Sequence, residues 1–312
     1  MSLLEELTAA IGRILDTAGS AVVRIGRAEG RGAGVIIATG VVLTSAHNLR
    51  GEETTVTFAD GRSVTATVKG VDADGDLAVL AVDTGTATPI RWAEAEGGVS
   101  GDLEGVSGDV GPAHGAPVFA LALPPGSNGV RVTFGTVSAL GRNFRGPRGR
   151  LITDGVEHTA PLGRGSSGGP LVDTAGRLVA INTHRLGDGL YLGLPTTVAR
   201  RARVDALSRG ETPERRRLGV ALAPPHVARR LRVAVGLEPR EGVLVREVAD
   251  ETPAASAGLQ RGDLVVSAGG EPVTSIDALL AAVDGVGQDG TLSVTVVRGV
   301  AELDLTVRFD AA

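Results

Sequence analysis

The sequence predicts a mainly β protein: two small barrels in the first two thirds of the chain, followed by a small α+β domain. Three observations carry that expectation. From about Ala21 to Asp188 the chain runs as short alternating apolar stretches separated by Gly, Asp and Asn, with no helical period between them. Aromatic residues make up only 2% of 312 residues, against 46 glycines and many Val, Thr and Ala, so the cores must be built from small and β-branched side chains that suit sheets. A helical period occupies "PTTVARRARVDALSRG" and stops at Gly210; the polar, proline-broken "ETPERRR" then separates a second set of strands.

Taken in order, residues 1–20 read as an amphipathic helix. Leu4, Leu7, Ile11 and Ile14 recur at helical spacing, and Ser2 with Glu5 forms a capping box. Residues 21–205 form the β-rich domain, with runs such as "GAGVIIATGVVLTSAH", "LAVLAV", "APVFALAL" and "RLVAINTH" as strands. A linker is expected at 206–217 and a second domain at 218–311. In that domain "GVLVREV", "DLVVSAGG", "TLSVTVVRG" and "AELDLTVRF" read as strands. "PAASAG" and "SIDALLAAV" read as helical pieces, the latter opened by a Thr274–Asp277 pair.

Composition narrows the function. A net charge of −5 argues against nucleic acid as a main partner, and the Arg200–Arg203 and Arg215–Arg217 clusters read as a solvated helix face and a polar linker. The chain has no cysteine, which excludes disulfides, thiolate metal sites and a cysteine nucleophile. No run is long and apolar enough to span a membrane, and the N-terminus lacks the basic region and cleavage site of a secretory signal. As it stands the chain is expected in the cytoplasm, or in the cell envelope if a leader is missing.

The chemistry concentrates in "GRGSSGGP", residues 163–170. Glycines around two serines are either a flexible loop or a bent backbone presenting Ser166 or Ser167 as a nucleophile. A serine needs a general base, and the base needs a group to orient it. Of the five histidines, His47 stands at the end of the apolar strand "GVVLTSAH", a rigid position for a base. Asp76 enters the doubly apolar run "DLAVLAV", where a buried carboxylate requires a partner such as an imidazole N–H. A calcium loop beginning at Asp72 is disfavoured, because Leu77 falls where such a loop needs glycine. Histidine, aspartate and serine thus follow the chain order of chymotrypsin-type proteases.

"TSAHN", "DGDLAVLAV" and "GRGSSGGPLVDTAGRLVAINT" resemble the histidine, aspartate and serine motifs of HtrA (DegP-like) serine proteases, and "LPPGSNGVRVTFGTVSALGR" resembles a further stretch of that family. "LGV", "ETPAASAGLQRGDLVVSAGGEPV" and "LLAAV" are similar to its PDZ domain. The resemblance covers about Ala21 to Phe309. It implies a chymotrypsin-like double β-barrel at 21–205, a PDZ domain at 218–311, and a serine endopeptidase of unfolded or damaged proteins that uses neither cofactor nor metal. It makes Ser167 the nucleophile, His47 the base and Asp76 its orienter, with the N–H groups of Gly165 and Ser167 as oxyanion hole. Ser166 takes the place usually held by asparagine. The S1 pocket is implied near Leu162, His184 and Arg185, where the two latter replace small or aliphatic residues and either point to solvent or make the pocket more polar.

In the second domain the resemblance implies that Leu218, Gly219 and Val220 form a carboxylate-binding loop, and that a peptide's last side chain lies against Ile276, Leu279 and Leu280. It also implies that a loop from Arg142 to Arg150 relays peptide occupancy to the oxyanion loop. It implies a homotrimer, although the first 20 residues hold no aromatic side chain to build the usual interface. Two other readings of the residues stay open: a peptide-binding chaperone or adaptor with an inactive protease domain, and an acyl hydrolase of non-protein substrates.

Overall fold

A computed structural model describes residues 2–27, 31–93, 112–127, 129–146, 151–211, 216–286 and 290–309. The chain divides into two compact units, Met1–Pro213 and Glu214–Ala312.

In the first unit α1 (Leu3–Ala18) opens on Ser2, whose hydroxyl accepts from the Glu5 N–H while the Glu5 carboxylate accepts from the Ser2 N–H. Ile14 and Ala18 of this helix are fully buried in the core, so its apolar face packs on the unit's own strands. Then come β1 (Val22–Ile25), β2 (Gly32–Ala38), β3 (Val41–Thr44), β4 (Glu53–Thr57), β5 (Ser63–Asp72) and β6 (Leu77–Ala81). They close into a barrel in the order β1-β2-β3-β6-β5-β4. A second barrel follows from β7 (Pro117–Ala122), β8 (Arg131–Arg145), β9 (Leu151–His158), β10 (Pro170–Val172), β11 (Leu178–Gly187) and β12 (Leu190–Pro195), closed as β10-β11-β12-β9-β8-β7. Closure removes the exposed edges that six short Val- and Ala-rich strands would otherwise present. One continuous core joins side chains of both barrels, among them Ile36, Leu43 and Leu80 of the first and Phe119, Ile181 and Leu192 of the second.

α2 (Val198–Ser208) is capped by the Thr197 hydroxyl and buries Val204 and Leu207. It therefore runs three residues into the stretch expected to be linker: Leu207 is fully buried, and its burial keeps the last turn packed. Residues 212–215 of that stretch lie outside the described residues.

The second unit contains β13 (Val220–Ala223), α3 (Pro225–Ala234), β14 (Val243–Val248), α4 (Pro253–Ser256), β15 (Leu264–Ala268), β16 (Glu271–Pro272), α5 (Ile276–Asp284), β17 (Thr291–Arg298) and β18 (Ala301–Arg308). The sheet order is β13-β14-β15-β17-β18, so β13 is an edge strand. Helix α3 is absent from the sequence expectation. In the structure Pro224 caps the helix and Pro225 opens it, where a missing N–H is harmless. The cap of α5 is Ser275, which accepts from the Ala278 N–H, rather than Thr274.

Candidate active site

β3 ends at Thr44, and the chain then makes a single tight helical turn over Ala46–Asn48 that carries His47. Asp76 stands just before β6 in left-handed backbone, φ 55°, a region that aspartate enters more readily than most residues. Its peptide carbonyl accepts from the Ala46 N–H at 3.3 Å, which ties the two turns together. The carboxylate is 1% exposed. A charge so buried must be hydrogen-bonded, and it is: His47 Nδ1 lies 2.9 Å from both carboxylate oxygens, the His47 backbone N–H donates to Oδ1 at 3.1 Å, and the Thr183 hydroxyl donates to Oδ2 at 2.6 Å. With Nδ1 donating to Asp76, the His47 ring has its other nitrogen, Nε2, left as the basic one.

Ser167 comes from the second barrel, on the segment leading into β10. Its carbonyl accepts from the Ala33 N–H at 2.8 Å and from Asn48 Nδ2 at 2.9 Å, two groups of the first barrel. Gly168 follows with φ 87°, and a Cβ there would collide with the Ala33 carbonyl oxygen. Glycine is therefore required both by the dihedral angle and by the close approach of β2. The Ser167 hydroxyl itself donates to the Thr183 carbonyl at 2.9 Å, and no hydrogen bond joins it to His47 among the described residues. Thr183 thus touches both ends of the constellation, its side chain on Asp76 and its carbonyl on Ser167. Gly165, with φ 77°, precedes this turn, and among the described residues the N–H groups of Gly165 and Ser167 donate to no protein acceptor. Ser166 is buried and Ser167 half-buried.

Of the expected S1 residues, Leu162 is buried, and its carbonyl accepts from Arg185 Nη2 at 3.2 Å. His184 does not join them. Neighbouring residues on β11 project to opposite faces, and the exposed His184 ring stacks on Phe144 at 6.4 Å between centroids. Arg142 is not on a loop: it lies in β8, opposite Gly155 of β9, and pairs with the mostly buried Glu157 at 3.1 Å. Hairpin pairing extends β8 through Arg145 and so absorbs the first residues of the expected loop, while residues 147–150 lie outside the described ones.

In the second unit Gly219 has φ 83°, and a Cβ there would collide with the Thr252 side chain. Leu218 is buried and Val220 half-buried, flanking it at the start of β13. Leu279 cannot face a peptide, because it is fully buried in the unit's core with Val283 one turn on. Ile276 and Leu280, also one turn apart, share a half-buried stripe on another side of α5. Thr183 and Asn48 were missed from the sequence, where each looks like an ordinary polar residue beside an apolar strand. Their one signal was position, within "AINT" and "TSAHN".

Residues 32–181 match the trypsin-like peptidase domain family and residues 216–309 the PDZ domain family. Fold and site together define a serine endopeptidase of trypsin-like fold that carries one PDZ domain. The serine protease HhoA of Synechocystis is 32% identical over 295 residues, 90% of this chain and 71% of HhoA. A periplasmic DegP-like serine endoprotease of Halomonas elongata is 30% identical, covering 88% of this chain and 55% of that protein, so the chain spans about half the length of such DegP-like relatives. The solved serine endoprotease from Yersinia pestis is 26% identical with a TM-score of 0.69, covering 95% of this chain and 96% of that one. The HtrA-type protease AlgW, solved with a tripeptide, is 27% identical with a TM-score of 0.67, covering 95% of each chain. The chain belongs to the HtrA (DegP-like) family of serine proteases. No helix among the described residues is long and apolar enough to cross a membrane.

Proposed function

We propose that Ser167, His47 and Asp76 form the catalytic triad of an endopeptidase acting on unfolded or damaged polypeptides. The observation that carries this is the double contact of Thr183, which links the acid that holds His47 to the hydroxyl of Ser167. In the working cycle the Ser167 hydroxyl turns from the Thr183 carbonyl to His47 Nε2 and gives up its proton there as Oγ attacks the peptide carbonyl. The N–H groups of Gly165 and Ser167 receive the oxyanion. His47 passes the proton to the departing amine, and water then cleaves the acyl-serine ester with His47 again as base. Asp76 fixes the tautomer and stabilises the imidazolium throughout.

The second unit binds peptide C-termini in this proposal. Successive N–H groups around Leu218, Gly219 and Val220 cradle the carboxylate, the peptide pairs with the free edge of β13, and its last side chain meets Ile276 and Leu280. Occupancy regulates hydrolysis, with Arg142 as the relay, acting through its Glu157 pair. AlgW is solved with bound peptides, which supports peptide binding here. A homotrimer is the proposed assembly. The compartment follows the leader: cytoplasm without one and cell envelope with one, the latter supported by relatives named as periplasmic.

A second reading, a peptide-binding chaperone or adaptor, is favoured by the Ser167 hydroxyl resting on Thr183 rather than on His47. Casein digestion with and without a fluorophosphonate separates the two. Inhibitable cleavage supports the peptidase, and peptide binding without cleavage supports the adaptor.

A further inference from the structure

We propose that Arg185 gives this peptidase a preference for a carboxylate side chain on the substrate residue whose carbonyl is attacked. The inference deepens the reading above and rests on it. In a peptide poised at Ser167 Oγ, that side chain springs from the carbon next to the attacked carbonyl. It must enter the space between the segment leading into Ser167 and the strand carrying Thr183, which accepts from the Ser167 hydroxyl.

Arg185 joins these two walls. It stands two residues beyond Thr183 on β11, and its Nη2 reaches the carbonyl of Leu162, three residues before Gly165. Its guanidinium lies 5.6 Å from the ring centre of Tyr191, its partner across the β11–β12 pair. Tyr191 is buried and stacks on the buried His158 at 5.8 Å, so the surface beneath the guanidinium is fixed. A guanidinium has five N–H donors, and the Leu162 carbonyl takes only one.

Two further arginines lie on the Leu162 side. An added Cβ at Gly163 would fall 2.5 Å from Arg131 Nη1, and Arg164 follows in sequence. Among the described residues no carboxylate pairs with Arg131, Arg164 or Arg185. Such a site repels a lysine or arginine side chain and offers a glutamate or aspartate paired N–H donors. An aliphatic side chain can meet the tyrosine ring but leaves those donors unused. Arg185 is exposed, so solvent screens the attraction and the expected preference is modest, about twofold to fivefold.

Matched peptides that differ only at the attacked residue, Glu, Gln, Leu or Lys, test this by kcat/KM in the wild type, Arg185→Gln and Arg185→Glu. Glu is expected to exceed Gln by about twofold to fivefold at low salt and by less at high salt. Arg185→Gln removes that advantage, and Arg185→Glu inverts it in favour of Lys. Inversion marks a direct charge contact, which a merely structural arginine would not produce. Cleavage after Leu with Glu no better than Gln, or a Glu:Lys ratio unmoved by Arg185→Glu, overturns the inference and leaves the peptidase standing. If the variants do not fold, the wild-type Glu:Gln ratio and its salt dependence decide alone. If the wild type cleaves no peptide and no fluorophosphonate labels Ser167, the peptidase reading falls and takes the inference with it.

Discussion

Thr183 is the residue on which the site turns, because one side chain and its own carbonyl connect the buried acid to the nucleophile. A hydrogen bond to a charged group contributes about 1.5–3 kcal/mol, so Thr183→Val should lower kcat roughly tenfold or more while KM changes little. Thr183→Ser should restore most of the rate, since it keeps the hydroxyl; a serine variant as slow as the valine one would show that packing alone matters. His158 makes a separate statement about pH. It is fully buried beneath Tyr191, neither ring nitrogen has a hydrogen-bond partner within distance among the described residues, and burial, outweighing the nearby Asn182 amide, lowers its pKa from 6.5 to about 4. The folded state therefore holds a neutral ring that the unfolded chain protonates below about pH 6.5. Stability is fully present above that value, falls as pH drops towards about 4, and then levels off. The whole effect is at most about 3 kcal/mol, and His158→Leu should flatten the slope in denaturant melts across that window. An unchanged slope would assign the pH dependence elsewhere.

At the scale of elements, the turns carry the function and the strands hold the turns. The tight turn after β3 and the left-handed residue before β6 bring His47 to Asp76 by short-range contacts, whereas Ser167 arrives from a different barrel and is pinned by Ala33 and Asn48. In the second unit the proposed carboxylate loop depends on Gly219, whose dihedral angle and closeness to Thr252 leave no room for a side chain. Peptides ending in a free carboxylate should bind in fluorescence polarisation, the same peptides amidated should bind at least tenfold more weakly, and Gly219→Val should bind neither. Equal affinity for both ends would place recognition outside that loop. Elements whose signal is periodic were legible from sequence: the alternating runs gave the barrel strands, and Ser2 with Glu5 marked the start of α1. Elements defined by local exceptions were not. Helix α3, which Pro225 opens, went unread, and Arg142 lies on a strand because hairpin pairing, which no local window reveals, extends β8.

For the whole molecule, two closed barrels supply the rigidity and the contact between them supplies the chemistry. The order of His47, Asp76 and Ser167 was readable because each sits in a distinctive short motif at a strand end. The supporting shell was not readable, since the contacts of Asn48 and Thr183 join residues more than 100 positions apart. Leu279 was misassigned for the same reason, as facing depends on partners that sequence spacing does not name, whereas His184 is exposed as one of its two readings held. The central claim is that His47, held by Asp76, activates Ser167 alone of the two adjacent serines. Fluorophosphonate labelling followed by peptide mapping tests it most directly on the wild type, Ser166→Ala, Ser167→Ala and His47→Ala. The account predicts a single adduct on Ser167 that survives Ser166→Ala and is lost, or slowed by orders of magnitude, in the other two variants. An adduct on Ser166, or labelling of Ser167 at an undiminished rate in His47→Ala, would contradict it.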